Sequence, residues 1–153
     1  MPHPGKTDRL ILNALQKNGR TTLSEISHKV HLSSSQVQRR IRHLEETGVI
    51  EQYTALVDRE RLGFTVVVFA EVTLHYQGKK SAEQFHNAVQ NVPEILELHR
   101  ISGDSDYLLK IIAKDLQQYS VFAQDKLMAL PNVERLRSLI VMDSPKTSTQ
   151  IPC

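Results

Sequence analysis

Val66-Val67-Val68-Phe69-Ala70 is the longest unbroken apolar run of the chain, and it constrains everything around it. It falls far short of the roughly 20 residues that span a bilayer as a helix. Its β-branched and aromatic side chains suit a strand, and Phe64 to Tyr76 reads as a long one. Val66, Val68, Ala70, Val72 and Leu74 line one face; Val67 and Phe69 start the other, which turns polar at Glu71, Thr73 and His75. Such a strand needs cover on both sides where it is apolar on both.

The residues after that strand fix its surroundings. Gln77-Gly78-Lys79-Lys80 reads as a turn. Ser81 is placed to cap a helix with Ala82, Phe85, Ala88, Val89 and Val92 at helical spacing, stopped by Pro93. Ile95 to Ile101 and Tyr107 to Ala113 predict two more strands, joined by the tight Gly103-Asp104-Ser105-Asp106 connection. Asp115 opens a further helix, with Leu116, Tyr119, Phe122 and Leu127 inward, that ends near Leu130-Pro131-Asn132; Val133 to Met142 is the last strand. The order β-α-β-β-α-β is that of the α+β ferredoxin-like fold, four antiparallel strands with both helices on one face. The second sheet face is then left open although Val67, Phe69, Leu108 and Ile112 make it apolar. An exposed apolar side chain forgoes about 1.5–3 kcal/mol of burial, so a second copy of the chain is expected to cover that face.

The front third is organised differently. Asp8 is placed to cap a helix carrying Leu10, Ile11, Ala14 and Leu15, which stops at Asn18-Gly19. Thr22 or Ser24 opens a second short helix with Leu23, Ile26 and Val30 on one face. After His31-Leu32 the serines 33–35 offer an N-cap for a third, Ser35 to Thr47, ending at Gly48. On a helical wheel Val37, Ile41 and Leu44 fall within about 60° of one another and face a core. Ser35, Arg39, Arg42, His43 and Glu46 point away, Gln36 and Gln38 flank them, and Arg40 sits at the boundary. Ser, Gln and Arg on an exposed helix are the side chains that bond phosphates and base edges in a major groove. Short helix, tight turn and basic helix together read as a helix-turn-helix. We place that domain at residues 1–51, a linker strand at 52–63 and the ferredoxin-like domain at 64–153.

Charge supports this division. Of 19 Lys and Arg against 17 Asp and Glu, net +2, residues 1–50 hold eight basic and four acidic groups. The front is therefore basic and the back mildly acidic, so only the front suits a polyanion. The single Cys153 excludes a disulfide framework, and the seven histidines are scattered with no Cys or acid to complete a metal-ligand set. Met1 to Lys6 lacks the apolar stretch of a secretory signal. No nucleophile–base arrangement or Gly-rich phosphate loop appears, which points away from an enzyme and from a bound cofactor. The expectation is a cytoplasmic, nucleoid-associated protein with no membrane segment.

The chain resembles the Lrp/AsnC, or feast/famine, family of transcription regulators along nearly its whole length. The likeness is carried by Asp8-Arg9-Leu10-Ile11-Leu12, Leu15-Gln16-Lys17-Asn18-Gly19-Arg20, Leu32-Ser33, Arg39-Arg40-Ile41-Arg42-His43-Leu44-Glu45 and Gly48-Val49-Ile50 with Tyr53. It continues in Gly103-Asp104-Ser105-Asp106-Tyr107-Leu108-Leu109 and in the tail Lys146-Thr147-Ser148-Thr149 with Pro152. The resemblance implies a winged helix-turn-helix followed by a ferredoxin-like effector and assembly domain. It also implies homodimers that associate into octamers, double-stranded DNA as partner, and an amino-acid effector bound between subunits. Carried over by position, Ser34, Ser35, Gln36, Gln38, Arg39, Arg40, Arg42 and His43 become the DNA-reading candidates. Ser102, Gly103, Asp104, Asp106, Leu136 and Ser138 become the effector-binding ones.

The residues themselves agree with the second set in part. Gly103 permits positive φ and close backbone approach, Asp104 or Asp106 can accept from an α-ammonium group, and Ser138, two positions after Leu136, can line a pocket from the next strand. Gly-Asp-x-Asp is equally ordinary turn chemistry, in which Asp bonds its own backbone. The chain departs from the family where His31 stands for the usual Gly of the turn, where Leu136 or Ser138 stands for the usual Thr, and where Ser105 stands for an aromatic residue. Three classes remain: an effector-responsive regulator, a ligand-independent architectural DNA binder on the same scaffold, and a ferredoxin-like enzyme or small-molecule module. The last leaves the basic third helix without a purpose.

Overall fold

Thr22 and Ser33 each open a helix through a reciprocal capping box, and these two caps set the layout of the front third. The computed structural model describes residues 3–75 and 78–153. The strand end expected at Tyr76, the turn residue Gln77, and Met1 and Pro2 lie outside the described residues. The chain divides into two units, Met1–Leu56 with Lys146–Cys153, and Val57–Pro145.

In the first unit α1 (Lys6–Lys17), α2 (Leu23–Val30) and α3 (Ser34–Glu46) enclose Ile11, Leu12, Ala14, Ile26, Val37 and Leu44. Leu10, expected to share the apolar stripe, is 46% exposed. Asp8 does not cap α1: the helix starts at Lys6 behind Gly5, and no side chain caps it. Asp8 sits in the first turn, where a carboxylate still favours the helix N-terminus. At α2, the Thr22 N–H and hydroxyl both bond Glu25 Oε2, at 2.7 and 3.1 Å, which holds the Glu25 carboxyl below its usual range. His31 ends α2 in the left-handed region, φ 55 and ψ 44, and Leu32 N reaches back to Ser27 O at 3.3 Å. The turn thus forms without glycine, at roughly 1–2 kcal/mol for an L side chain in that region. Gly48, φ 71, ends α3, so that Val49 and Ile50 both donate to Leu44 O, at 2.9 and 3.0 Å, and Ile50 folds onto the core.

Residues 51–58 run on without regular secondary structure, so over them the linker strand expected at 52–63 joins no ladder. The last residues belong to this unit. The Gln16 amide pairs both ways with the Ile151 backbone, accepting from N at 2.7 Å and donating to O at 3.0 Å, while Asn13 Nδ2 donates to Cys153 O at 3.2 Å. These contacts lie within the first unit, which takes in Lys146–Cys153.

The second unit has strands β1 (Val66–Leu74), β2 (Ile95–Arg100), β3 (Tyr107–Ala113) and β4 (Val133–Ile140). Its helices are α4 (Lys79–Gln90) and α5 (Leu116–Phe122), the latter continued by a π turn over Ala123–Leu127. The sheet order is β2-β3-β1-β4, every pair antiparallel, as the β-α-β-β-α-β order predicts. Val68, Ala70, Val72 and Leu74 pack with Phe85, Val89, Tyr119, Phe122 and Leu127, so α4 and α5 cover one face. Fully buried Phe85, Leu109 and Ile111 each contribute about 1.5–3 kcal/mol of burial.

Two expectations fail here. Ser81 is not the cap of α4, which begins behind Gly78; it lies in the first turn, 7% exposed, and its hydroxyl has no partner among the described residues. Leu116 is not inward but 54% exposed. At 3.6 residues per turn an i, i+3 series drifts about 60° per step, so a stripe centred on Tyr119 and Phe122 leaves Leu116 outside.

The opposite sheet face carries Val67, Phe69, Leu108, Ile112 and Leu139 in register across three strands. Charged pairs border it: Lys110 Nζ stands 2.7 Å from Glu97 Oε1, and Arg137 Nη1 3.5 Å from Glu71 Oε2. Lys110, with help from His99, holds the Glu97 carboxyl below its usual range. Leu139 is 38% exposed. Among the described residues no helix is long and apolar enough to cross a membrane.

Candidate functional site

α3 is a rigidly seated helix. Its N-terminus is fixed by Ser33, whose hydroxyl accepts from Gln36 N at 3.3 Å while Gln36 Oε1 accepts from Ser33 N at 3.0 Å. Ser34 Oγ lies 3.1 Å from Ser27 Oγ, whose own proton goes to Leu23 O at 2.6 Å, and this joins α3 to α2 across the turn. Val37 and Leu44 are buried between the other two helices. Arg40 Nη1 donates to Asp8 Oδ1 on α1 at 2.8 Å. A helix pinned at its cap, its middle and its apolar stripe presents its outer face with little freedom.

The candidates on that face sort into two groups. Gln36 and Ser34 are exposed but engaged within the protein, and Arg40 is half-buried in its ion pair. Ser35 Oγ contacts Ser33 Oγ at 3.0 Å. Gln38, Arg39, Arg42 and His43 are exposed, and among the described residues no side-chain hydrogen bond or ion pair occupies them. Four polar side chains on one solvent face of a fixed helix, two of them permanently cationic, form a surface that can track a phosphate backbone and reach base edges.

The second candidate set is split by the sheet. Ser102, Gly103 and Asp104 are exposed in the β2–β3 connection, and Gly103 takes φ 129, a conformation that L side chains rarely adopt. Asp106 is a latch: its Oδ2 accepts from Leu74 N at 2.8 Å, its N donates to Val72 O at 3.0 Å, and its O accepts from Ile101 N at 3.0 Å. These bonds hold the connection against the end of β1. Leu136 and Ser138 are elsewhere. Both pair with β1, opposite Val72 and Ala70, on the helix-covered face. Leu136 packs on the core, and Ser138 Oγ lies 2.5 Å from the Tyr119 hydroxyl, whose pKa burial pushes up. Val72 separates Leu136 from Tyr107, two strand spacings or about 10 Å. Within one chain, then, Leu136 and Ser138 do not converge with the connection.

The β4 residue that does reach it is Arg135. Its Nη2 donates to Asp104 O at 3.2 Å and to Thr73 Oγ1 at 3.5 Å. Strand parity marks this residue in the sequence: if Leu136 and Ser138 face the core, Arg135 and Arg137 face the open side. Among the described residues no group of three or more His, Cys, Asp or Glu is placed to hold a metal ion.

Comparison with known proteins covers both units. A family model described as the Lrp/AsnC ligand binding domain matches residues 67–151, and one described as winged helix-turn-helix DNA-binding matches residues 5–51. The leucine-responsive regulatory proteins of Klebsiella pneumoniae and Escherichia coli strain K12 are each 41% identical over 152 residues, 97% of this chain and 93% of theirs. A transcriptional regulator from Neisseria meningitidis, solved as its L-methionine complex, superposes with TM-score 0.93 at 35% identity, over 98% of this chain and 97% of that one. An AsnC family regulator from Agrobacterium tumefaciens gives 0.92 at 31%, over 97% of both chains.

Proposed function

Because this chain belongs to the Lrp/AsnC family, whose members are DNA-binding transcription regulators and not enzymes, we propose that α3 reads operator DNA. Gln38, Arg39, Arg42 and His43 supply the contacts, joined by Ser34, Ser35 and Gln36 near the helix N-terminus. The observation that carries this is the contrast along one helix: Arg40 is spent on Asp8, while Arg39 and Arg42 on the outer face have no partner among the described residues. Residues 1–51 act as the DNA-binding domain, 52–63 as the linker and the sheet unit as the effector and assembly domain.

The effector we assign is an amino acid, bound where copies of the chain meet near Ser102, Gly103, Asp104 and Asp106. The ligand-binding-domain match and the L-methionine complex of the Neisseria regulator support this over ligand-independent architectural binding. Two chains pack through the face of Val67, Phe69, Leu108 and Ile112, and dimers assemble further to octamers. A dimer presents two copies of α3 to two half-sites. The effector shifts the assembly only as far as it prefers one state, and the protein acts on the nucleoid in the cytoplasm.

The test is a salt titration of DNA binding with and without each of the common amino acids. Wild type, Arg39→Ala and Asp104→Ala are compared. Effector dependence lost in Asp104→Ala, with DNA binding retained, and a weakened salt slope in Arg39→Ala are the expected results. Unchanged behaviour of both variants ends the proposal.

A further inference from the structure

The chain passes between its two units twice, after Leu56 and again after Pro145, so both ends of the sequence belong to the unit that carries α3. We propose that the last residues are a strap, fastened to α1 by Gln16 and Asn13, which restrains the DNA-binding unit and so sets the half-site spacing that a dimer accepts. Gln16 is then a positioning residue for DNA recognition. The strap rests on the proposed DNA-reading dimer but asks nothing of the effector or of the outer face of α3.

The fastening follows from the helix. Ile11, Leu12 and Ala14 turn one side of α1 into the core, which leaves Asn13 and Gln16, three residues apart, as neighbours outside it. A carboxamide carries a donor and an acceptor, as a peptide group does. Gln16 uses both on one residue: its Oε1 accepts from Ile151 N at 2.7 Å and its Nε2 donates to Ile151 O at 3.0 Å. Gln150 Nε2 donates to Gln16 O at 3.4 Å, and Asn13 Nδ2 to Cys153 O at 3.2 Å. Ser148 Oγ accepts from Gln150 N at 3.1 Å, which folds the segment just before its attachment. Ile151 is 70% exposed, so polar pairing rather than apolar burial holds the strap.

A single connection would not fix α3. Tyr53 is tied to Glu45, and residues 54–58 beyond it have neither helix nor ladder. Five extended residues reach at most about 17 Å. In two copies the separation of the α3 helices could then vary by roughly 34 Å, a whole turn of DNA, and each unit could spin about its one attachment. A second attachment stops the spin and narrows the range. The far end of the strap is firm, because Val141 N donates to Val67 O at 3.0 Å before the chain leaves the sheet. Engaging two half-sites at once depends on how well the unbound geometry already matches them.

The experiment uses the full-length protein and a duplex that wild type selects from a random-sequence pool. The duplex is re-made with up to about five base pairs inserted between its half-sites, half a helical turn, and once with one half-site scrambled. Two variants are compared: Asn13→Ala with Gln16→Ala, which keeps helix propensity at or above that of wild type, and Ile151→Pro, which removes the paired amide from the tail side. Hydrogen exchange at the Ile151 amide reads the fastening, slow in wild type and fast in the double variant. The preference of wild type for the selected spacing over the half-turn shift is expected to fall by about tenfold or more in the double variant and to move the same way in Ile151→Pro. Affinity for the single half-site stays as in wild type. An unprotected Ile151 amide in wild type, an unchanged spacing profile in the variants, or weakened binding to the single half-site each overturn the strap. A wild type that binds the single half-site yet shows no spacing preference also overturns it, and leaves α3 as the DNA reader; a wild type that selects no duplex overturns both.

Discussion

Arg40 Nη1 stands 2.8 Å from Asp8 Oδ1 and so joins the middle of α3 to the first turn of α1. Two residues whose sequence positions suggest a DNA contact and a helix cap are instead each other's partner. The Asp8 side chain is 17% exposed and that of Arg40 38%, so the pair is only partly screened by solvent. Arg40→Ala leaves a largely buried carboxylate without its cation. We expect it to destabilise the first unit by about 1 kcal/mol, read from urea denaturation. The salt dependence of DNA binding stays as in wild type. A slope reduced by a full phosphate contact would make Arg40 a DNA ligand after all.

Arg39 and Arg42 behave in the opposite way. Each is exposed and without a partner among the described residues, so alanine at either position changes stability by about 0.5 kcal/mol or less. If each contacts one phosphate, its removal lowers the log–log salt slope by about 0.9, and by about twice that in the double variant. Filter binding across a salt series measures it. Unchanged slopes in both single variants would remove α3 from the duplex.

Much of the fold is legible in the sequence because periodicity is a direct consequence of geometry. The parity of Val66 to Leu74 tells which side of β1 meets the helices, and the wheel of Val37, Ile41 and Leu44 tells which side of α3 meets the core. Local polar chemistry is less legible, since Asp8, Ser81 and Gln36 each have several possible partners within one turn. Gln36 completes a capping box, Asp8 finds Arg40 from 32 residues away, and Ser81 finds none among the described residues. The surroundings of Leu136 and Ser138 are not legible from family likeness, because transfer by position ignores the alternation that turns both toward the helices. The same alternation singles out Arg135.

Asp106 tests the difference between a latch and a ligand contact. Its carboxylate accepts from Leu74 N at 2.8 Å, an amide at the end of β1 that alanine would leave unmet. Asp106→Ala is expected to destabilise the sheet unit by about 1–3 kcal/mol. Asp106→Asn, which keeps an acceptor oxygen, recovers most of that. Thermal denaturation monitored by near-ultraviolet dichroism reads both. Equal stability of the alanine variant and wild type would free Asp106 for a purely ligand-binding role.

His31 reports on backbone strain in the turn between α2 and α3. At φ 55 an L side chain carries a penalty of roughly 1–2 kcal/mol that glycine avoids. Glycine also widens the unfolded ensemble, which offsets about 0.4–1 kcal/mol. His31→Gly is therefore expected to be neutral or stabilising by up to about 1.5 kcal/mol, and His31→Val, β-branched, clearly destabilising. Urea midpoints rank the three; a valine variant as stable as wild type contradicts the left-handed turn.

Tyr53 gives the alkaline limb of stability. Its hydroxyl donates to Glu45 Oε1 at 2.9 Å, and burial first, then the bond and charge of Glu45, push its pKa from 10.0 to about 12. Between those values the folded chain holds a proton that the unfolded chain has released, so stability must fall as pH rises through that window. It is fully present below the lower limit. Subtracting the tyrosinate absorbance titration of Tyr53→Phe from that of wild type should leave a step near the upper value. The urea midpoint of wild type should then drop more steeply with pH over the same window than that of the phenylalanine variant. Glu45→Gln removes the charge but not the burial, so its step moves down only part of the way. A step at the ordinary tyrosine value in wild type would mean that Tyr53 is not held against α3, and the bend at Gly48 that brings it there would have to be redrawn.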